Sequence, residues 1–293
     1  MTKVLVLLST WNGAKYLPAQ IDSVLAQRLD GDLHILVRDD GSSDGTVEYL
    51  HSRHDPRIRV IQGENLGAQG SFFALMQMAQ REEADFIALC DQDDVWLPEK
   101  LARAISMLDI DQPGLYTSSL QLVDEHLRSI GRYTHPGDRS FVATLLCNFA
   151  TGCTCVMNRS FLQQIFFPED GRKVLMHDWW LASLAATGHK IAYDRTPHIQ
   201  YRQHSANHVG IKTGLAMAFV KINKLIFNSP KVSRFDHAHQ LLLTGQGRLS
   251  QNHLTILKRF LKGRHSAIGR LWFISRYRPR IGFSRILLFM IFG

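Results

Sequence analysis

Four short, largely apolar runs, residues 4–8, 33–37, 58–61 and 86–90, punctuate the first third of this chain, and each breaks off into a polar turn. Compact apolar runs of this length read as strands buried on both faces of a sheet. The segments between them carry helical spacing. Leu17, Ile21, Val24 and Leu25 share a face over residues 16–27, with Pro18 near the start. Asp44 is placed to cap a helix over residues 46–51, and Ser71 to begin one that runs to Gln80. Strands alternating with helices in this order make βαβ units and a parallel sheet, so the predicted fold class is α/β. Right-handed crossovers bring the ends of all four strands to one edge, where open sheets of this kind bind ligands.

Three of those strand ends hold chemistry. The run at 86–90 stops in Asp91-Gln92-Asp93-Asp94-Val95-Trp96-Leu97-Pro98. Pro98 is expected to open the next helix and Asp94 to cap it. One cap needs one acid, and this turn has three. Clustered carboxylates raise one another's pKa unless donors or a cation compensate. Oxygen-only ligands suit Mg2+ or Mn2+. After the second strand comes Asp39-Asp40-Gly41-Ser42-Ser43-Asp44-Gly45-Thr46. By itself it reads equally well as a turn plus helix cap. An acid there opposes an anion and suits a base edge or a ribose hydroxyl. Neither a P-loop nor a dinucleotide fingerprint is present. The first strand ends in Thr10-Trp11-Asn12-Gly13.

The formal charge of +8 conceals a division. After His204 the chain has 15 lysines and arginines against one acid, Asp236, so it is +14 there and −6 before. Two jobs are implied. Cys90, Cys147, Cys153 and Cys155 form no CxxC or zinc pattern, and Cys90 sits in an apolar strand. With no signal-peptide core at residues 4–8, these cysteines favour a reduced, cytoplasmic setting. The second half predicts strands at 115–123, 152–157, 190–193 and 199–203, and helices at 141–147, 159–166 and 177–186. Beyond these, helical spacing covers 211–226, 241–261 and 268–276.

Two readings of the basic stretch stay open. One is an anionic membrane surface, where each Lys or Arg contributes roughly 1 kcal/mol. Leu271-Trp272-Phe273 beside Arg270, Arg276 and Arg278 fits an interfacial helix. The other is a helical appendage packed on the rest of the chain. The apolar residues 286–292 fall short of the roughly 20 needed to span a bilayer. No zinc-finger, RNP or helix-turn-helix signature points to nucleic acid.

Taken together and in this order, Thr10-Trp11-Asn12, the Asp39–Thr46 loop, Asn65-Leu66-Gly67 and the Asp91–Pro98 turn resemble a family-2 glycosyltransferase of the GT-A fold. The resemblance covers residues 1–205, leaving 206–293 as a basic helical C-terminal extension. It implies a mostly parallel sheet flanked by helices, and inverting transfer from a nucleotide-sugar with Mg2+ or Mn2+. It implies that Thr10, Trp11, Asn12, Asn65 and Gly67 line the nucleotide, that Asp40 contacts the base, that Asp93 binds the metal and that Asp91 faces the sugar or ribose. The family's catalytic base is an Asp at a helix start, matched by Asp178 in His177-Asp178-Trp179-Trp180. Relatives often carry Glu where His177 stands, and an N-cap is the plainer reading of Asp178. Trp179 and Trp180 suit an acceptor platform or core packing equally.

In Tyr201-Arg202-Gln203-His204, Arg202 is implied to neutralise the leaving diphosphate, and His204 to ligate the metal or contact that diphosphate. The acidic turn together with this segment most resembles bacterial rhamnosyltransferases using dTDP-L-rhamnose. UDP-hexoses stay open, because strand-end motifs bind the shared diphosphate. The implied acceptor is a glycan or lipid-linked glycan of bacterial surface polysaccharide synthesis, met at the inner face of the cell membrane. The competing readings are a nucleotidyltransferase, which would need a cationic glycine-rich loop after the first strand, and a non-catalytic sugar-binding module, which would not need Asp178.

Overall fold

The computed structural model describes residues 1–135, 137–204 and 232–292. The predicted helix over 211–226 lies outside the described residues. The first half alternates as expected: β1 (Thr2–Thr10), α1 (Leu17–Leu25), β2 (Gly31–Asp39), α2 (Thr46–Ser52), β3 (Ile58–Gln62), α3 (Gly67–Ala79), β4 (Phe86–Cys90), β5 (Val95–Trp96) and α4 (Lys100–Ser106). Then come β6 (Gly114–Ser118), β7 (Leu120–Val123), β8 (Ser129–Tyr133), α5 (Phe141–Thr144), β9 (Val156–Asn158), α6 (Arg159–Gln164), α7 (His177–Ala185), β10 (Lys190–Asp194) and β11 (Ile199–Arg202). Four helices follow: α8 (Arg234–Thr244), α9 (Gln251–Leu261), α10 (Ala267–Tyr277) and α11 (Phe283–Phe292).

Seven strands form the main sheet in the order β10-β6-β9-β4-β1-β2-β3. β9 runs antiparallel to both neighbours and the other pairings are parallel. Alternation explains why the strand cores carry so few polar residues. Leu5, Leu7, Leu36, Ile87 and Leu89 join one apolar cluster, while Val4, Val6, Leu8, Ile35, Val37, Ala88 and Cys90 join the cluster on the opposite face. The C-terminal ends of β1, β2, β4, β6 and β10 share one edge. Beside it lies a second sheet, β5-β11-β7-β8. β11 pairs antiparallel with β5 and parallel with β7, which returns the chain to the acidic turn it left about a hundred residues earlier.

Several boundaries differ from the sequence reading. The predicted strand at 115–123 is two strands in two sheets, broken at Ser119. Residues 152–154 form a 3-10 turn before β9. Ser71 does not begin α3. It lies in the second turn, buried, and its hydroxyl meets Ser9 Oγ at 2.7 Å. The span 241–261 is interrupted, with Gly247 at φ +76° between α8 and α9.

The basic helices pack on the face that also carries α3 and α7. Phe235, Leu241, Phe260, Phe273 and Phe289 belong to the same apolar cluster as Phe72, Leu75 and Trp180. Phe260 and Phe289 stack at 5.4 Å between ring centroids. No helix among the described residues is long and apolar enough to cross a membrane.

Candidate active site

The first two strand-end loops are stitched together by side chains. Asn12 takes a left-handed conformation, φ 48°, which this residue tolerates better than most. Its amide donates to Ser42 Oγ, and its side-chain oxygen accepts from Ser43 N, both at 2.8 Å. Gly13 N reaches Thr46 Oγ1, and Asp44 accepts from Ala14 N and Thr46 N. Thr10 and Trp11 are bound to the third loop by Gln92, whose Oε1 accepts from Thr10 Oγ1 and Trp11 N. Gln92 Nε2 returns a bond to Trp11 O. Trp11 itself is half exposed over the edge.

Asp40 is buried. Its Oδ1 accepts from Leu66 N at 2.9 Å and pairs with the buried Arg38 guanidinium. Arg38 also donates to Glu64 O, fixing the loop after β3 against that after β2. Asn65 Oδ1 accepts from Gly67 N at 3.0 Å, and Gly67 opens α3 at φ +70°, where a side chain would strain the backbone. These bonds tie the turn of Trp11 and Asn12 to the loop after β2, and Asp40 to the Asn65–Gly67 loop, with Thr10 and Asp40 buried beneath them.

The acidic turn divides its duties. Asp93 Oδ2 sits 2.9 Å from His204 Nε2. The His204 ring stacks on Tyr16 at 4.7 Å, and the Arg202 guanidinium lies 4.8 Å from the same ring. Arg202 donates from Nε to Asp93 O and from Nη1 to Glu125 O. Asp94 does not cap a helix. It is fully buried, and its Oδ1 accepts from Arg202 N at 3.1 Å. The helix begins later than Pro98, at Lys100, with Glu99 in the cap position and no side-chain cap. Burial drives the Asp94 carboxyl well above the usual range, with Asp93 and Asp91 adding to it. Burial also raises Asp91, and the charges of Asp93 and Asp178 raise it further.

Asp91, Asp94 and Cys153 offer ligand atoms within 4.8 Å of one another. Asp94 Oδ2 has no well-formed hydrogen-bond partner among the described residues. A carboxylate cluster with an orphaned oxygen fits a hard divalent cation. The Cys153 thiol does not, because burial keeps it protonated and its sulfur is soft.

Asp178 stands in the first turn of α7, 8% exposed. Asn148 Nδ2 and Gly152 N donate to its two oxygens, each at 3.0 Å. Burial nevertheless raises its pKa to about 6. Its charge is close enough to Asp91 to raise that carboxyl further. His177 stacks on Phe72 at 4.2 Å inside the core, and burial lowers its pKa to about 3. Trp180 is core, its indole N–H bound to Phe166 O, and Trp179 donates to Thr144 O. Besides Gln92, which lies inside the acidic motif, the residues that hold the site are Tyr16, Asn148 and Gly152. These carry no local signal, since their partners lie far along the chain.

The α/β architecture agrees with what comparison with known proteins finds. The dTDP-rhamnosyl transferase RfbG of Shigella flexneri is 30% identical over 223 residues, covering 69% of this chain and 73% of that one. The Escherichia coli UDP-Glc:alpha-D-GlcNAc-diphosphoundecaprenol beta-1,3-glucosyltransferase WfgD is 29% identical over 166 residues, 56% of this chain and 64% of that one. Among solved structures, S. aureus TarS in complex with UDP-GlcNAc superposes with a TM-score of 0.59 at 18% identity, covering 94% of this chain and 76% of that one. That likeness carries the fold, a GT-A sheet with helices on both faces. The model for Glycosyl transferase family 2 matches residues 5–166, and with the RfbG likeness this places the chain in glycosyl transferase family 2.

Proposed function

We propose that this glycosyltransferase moves a sugar, with inversion, from a nucleotide-sugar to a glycan or lipid-linked glycan of bacterial surface polysaccharide. The observation that carries the reading is Asp178: a buried carboxylate at the start of α7, with a pKa near 6, held by Asn148 and Gly152 and within electrostatic reach of Asp91. A base of this strength is mostly ionised at neutral pH, yet still basic enough to suit taking a proton from an acceptor hydroxyl. The hydroxyl oxygen then bonds to the anomeric carbon as the bond to the diphosphate breaks. The proton goes to Asp178, and the electron pair leaves with the nucleoside diphosphate.

Asp93 and His204, with the Asp91 and Asp94 carboxylates beside them, are the residues that would hold Mg2+ or Mn2+, and the cation would supply Lewis-acid charge at the leaving diphosphate. Arg202 adds fixed positive charge behind them. Thr10, Trp11, Asn12, Asn65 and Gly67 line the nucleotide, with Asp40 on the base side. The donor read here is dTDP-L-rhamnose, supported by the RfbG likeness. UDP-glucose is the second reading, favoured by WfgD. Residues 1–205 form the catalytic unit. Residues 206–293 dock it on an anionic membrane at the cytoplasmic face, supported by exposed Ile268, Leu271, Trp272 and Phe283 among the arginines.

A thermal-shift screen of dTDP, UDP and their sugars with Mn2+ tests the donor site, since tight ligands stabilise by mass action. A shift with dTDP larger than with UDP supports rhamnose, and no shift with either removes the donor-site assignment.

A further inference from the structure

Outside the nucleotide edge, the described residues enclose a cavity of about 370 Å³ lined by Arg132, Thr134, His135, Arg139, Tyr193 and Arg195. It lies where the outer strand of the small sheet, β8, faces the outer strand of the main sheet, β10. Three arginines converge on it. Among the described residues none of them has a carboxylate within ion-pair distance. The nearby acid is Asp138, and its oxygens accept from Ser140 N and Arg280 N.

Arg139 is preorganised. Its guanidinium lies over the Tyr193 ring at 4.0 Å and donates from Nη1 to Gly137 O. Its Nε is buried without a partner among the described residues. Tyr193 is fixed in turn, its hydroxyl accepting from His135 N at 2.9 Å. The contact with the ring is itself favourable, but a buried guanidinium donor left without a partner costs free energy unless an anion uses it.

The cavity is coupled to the proposed base by a short chain of contacts. His135 Nε2 meets Thr151 Oγ1 at 2.8 Å, and the next residue, Gly152, donates its N–H to Asp178. On its other side, Arg280 N bonds to Asp138, so the turn between α10 and α11 borders the cavity. Those two helices expose Trp272, Phe283 and Leu287. Cavity, base and apolar helices therefore follow one another across the molecule.

We propose that this cavity seats a phosphate or diphosphate ester of the acceptor, gripped by Arg139 and Arg195 with Arg132 at the rim. The acceptor sugar then extends toward Asp178 and its lipid toward α10 and α11. The assignment rests on the transferase reading above, and adds that the acceptor is recognised through its phosphate. A guanidinium fork matches phosphate oxygens in geometry and charge.

The test is calorimetric binding of octyl phosphate to the full chain, with octanol as the neutral probe. Wild type is expected to bind the phosphate and not the alcohol. Arg195→Glu, an exposed change, is expected to weaken binding about tenfold or more. Arg139→Lys, which keeps charge but loses the fork, is expected to weaken it less. In turnover, Arg195→Glu should raise KM for a phosphate-linked acceptor and leave KM for the donor unchanged. Equal affinity for octanol, or unchanged octyl phosphate binding in Arg195→Glu, overturns the proposal. So does loss of binding to phosphatidylglycerol vesicles with octyl phosphate binding intact, which makes the arginines a bilayer contact. Nucleotide binding is scored separately: its absence with octyl phosphate bound removes the donor-site reading and with it the acceptor role, leaving the cavity as a phosphate-ester site only.

Discussion

Asp93 and His204, 111 positions apart, meet at 2.9 Å because β11 lies against β5. The pairing carries the end of β11 directly to the acidic turn. Tyr16 closes the arrangement by stacking on the His204 ring.

The first prediction concerns that pair. Asp93→Ala is expected to abolish metal-stimulated donor hydrolysis. His204→Ala is expected to leave a working enzyme that needs about tenfold more Mn2+, the scale on which a peripheral ligand matters. Rate measured against Mn2+ concentration decides it. An unchanged Mn2+ midpoint in His204→Ala would take that residue out of the metal site.

Asp178 gives a pH-dependent prediction. Burial raises its folded-state pKa from 3.8 to about 6. Transfer, which needs the ionised base, should therefore fall as pH drops through about 6. Stability runs the other way, because the ionised carboxylate costs stability above that pH and the cost is relieved below it. Asp178→Asn should lose transfer, retain nucleotide binding, and gain up to about 2 kcal/mol at pH 7.5, with less gain at pH 5. Near-normal transfer in this variant would place the base elsewhere.

Gly152 and His177 are coupled. A Cβ at Gly152 would lie 2.6 Å from His177 Nε2, in a core where the ring is already stacked on Phe72. Gly152→Ala is expected to destabilise by about 1–3 kcal/mol and to lower kcat by displacing the N–H that holds Asp178. Gly152→Ala with His177→Ala should recover part of the lost kcat. Additive losses in that double variant would show the two residues to be independent.

Lys100 is fully buried, with its ammonium 3.5 Å from the Trp96 ring centroid and no hydrogen-bond partner among the described residues. Burial lowers its pKa from 10.5 to about 8. The charged form thus costs stability below about pH 8, and the cost fades as pH rises from there to the unfolded value. Lys100→Met should raise the melting temperature at pH 7 and bring a smaller gain at pH 10. A larger loss at pH 7 than at pH 10 would instead make Lys100 a counter-charge to the acidic turn.

Much of the parallel sheet was legible because its strands are short, apolar and separated by helix-length segments. The strand-end acids were legible for the same reason, since a carboxylate after a buried strand has few places to go. Asp94 shows the limit. As a sequence feature it resembled a helix cap, but burial and a bond from Arg202 N give it a different task. Ser71 was misread similarly, because a serine near a helix start and a serine bonding across to β1 look alike locally.

The sequence by itself determined the fold class, the sheet edge where the strands end and the residues offered there, because hydrophobic periodicity and turn chemistry are local properties of the chain. Tertiary structure alone decided which of the three acids pairs with His204, which residues hold Asp178, and where Arg132, Arg139 and Arg195 converge. Those are contacts between elements distant along the chain, set by strand order and close packing, and no local pattern encodes them.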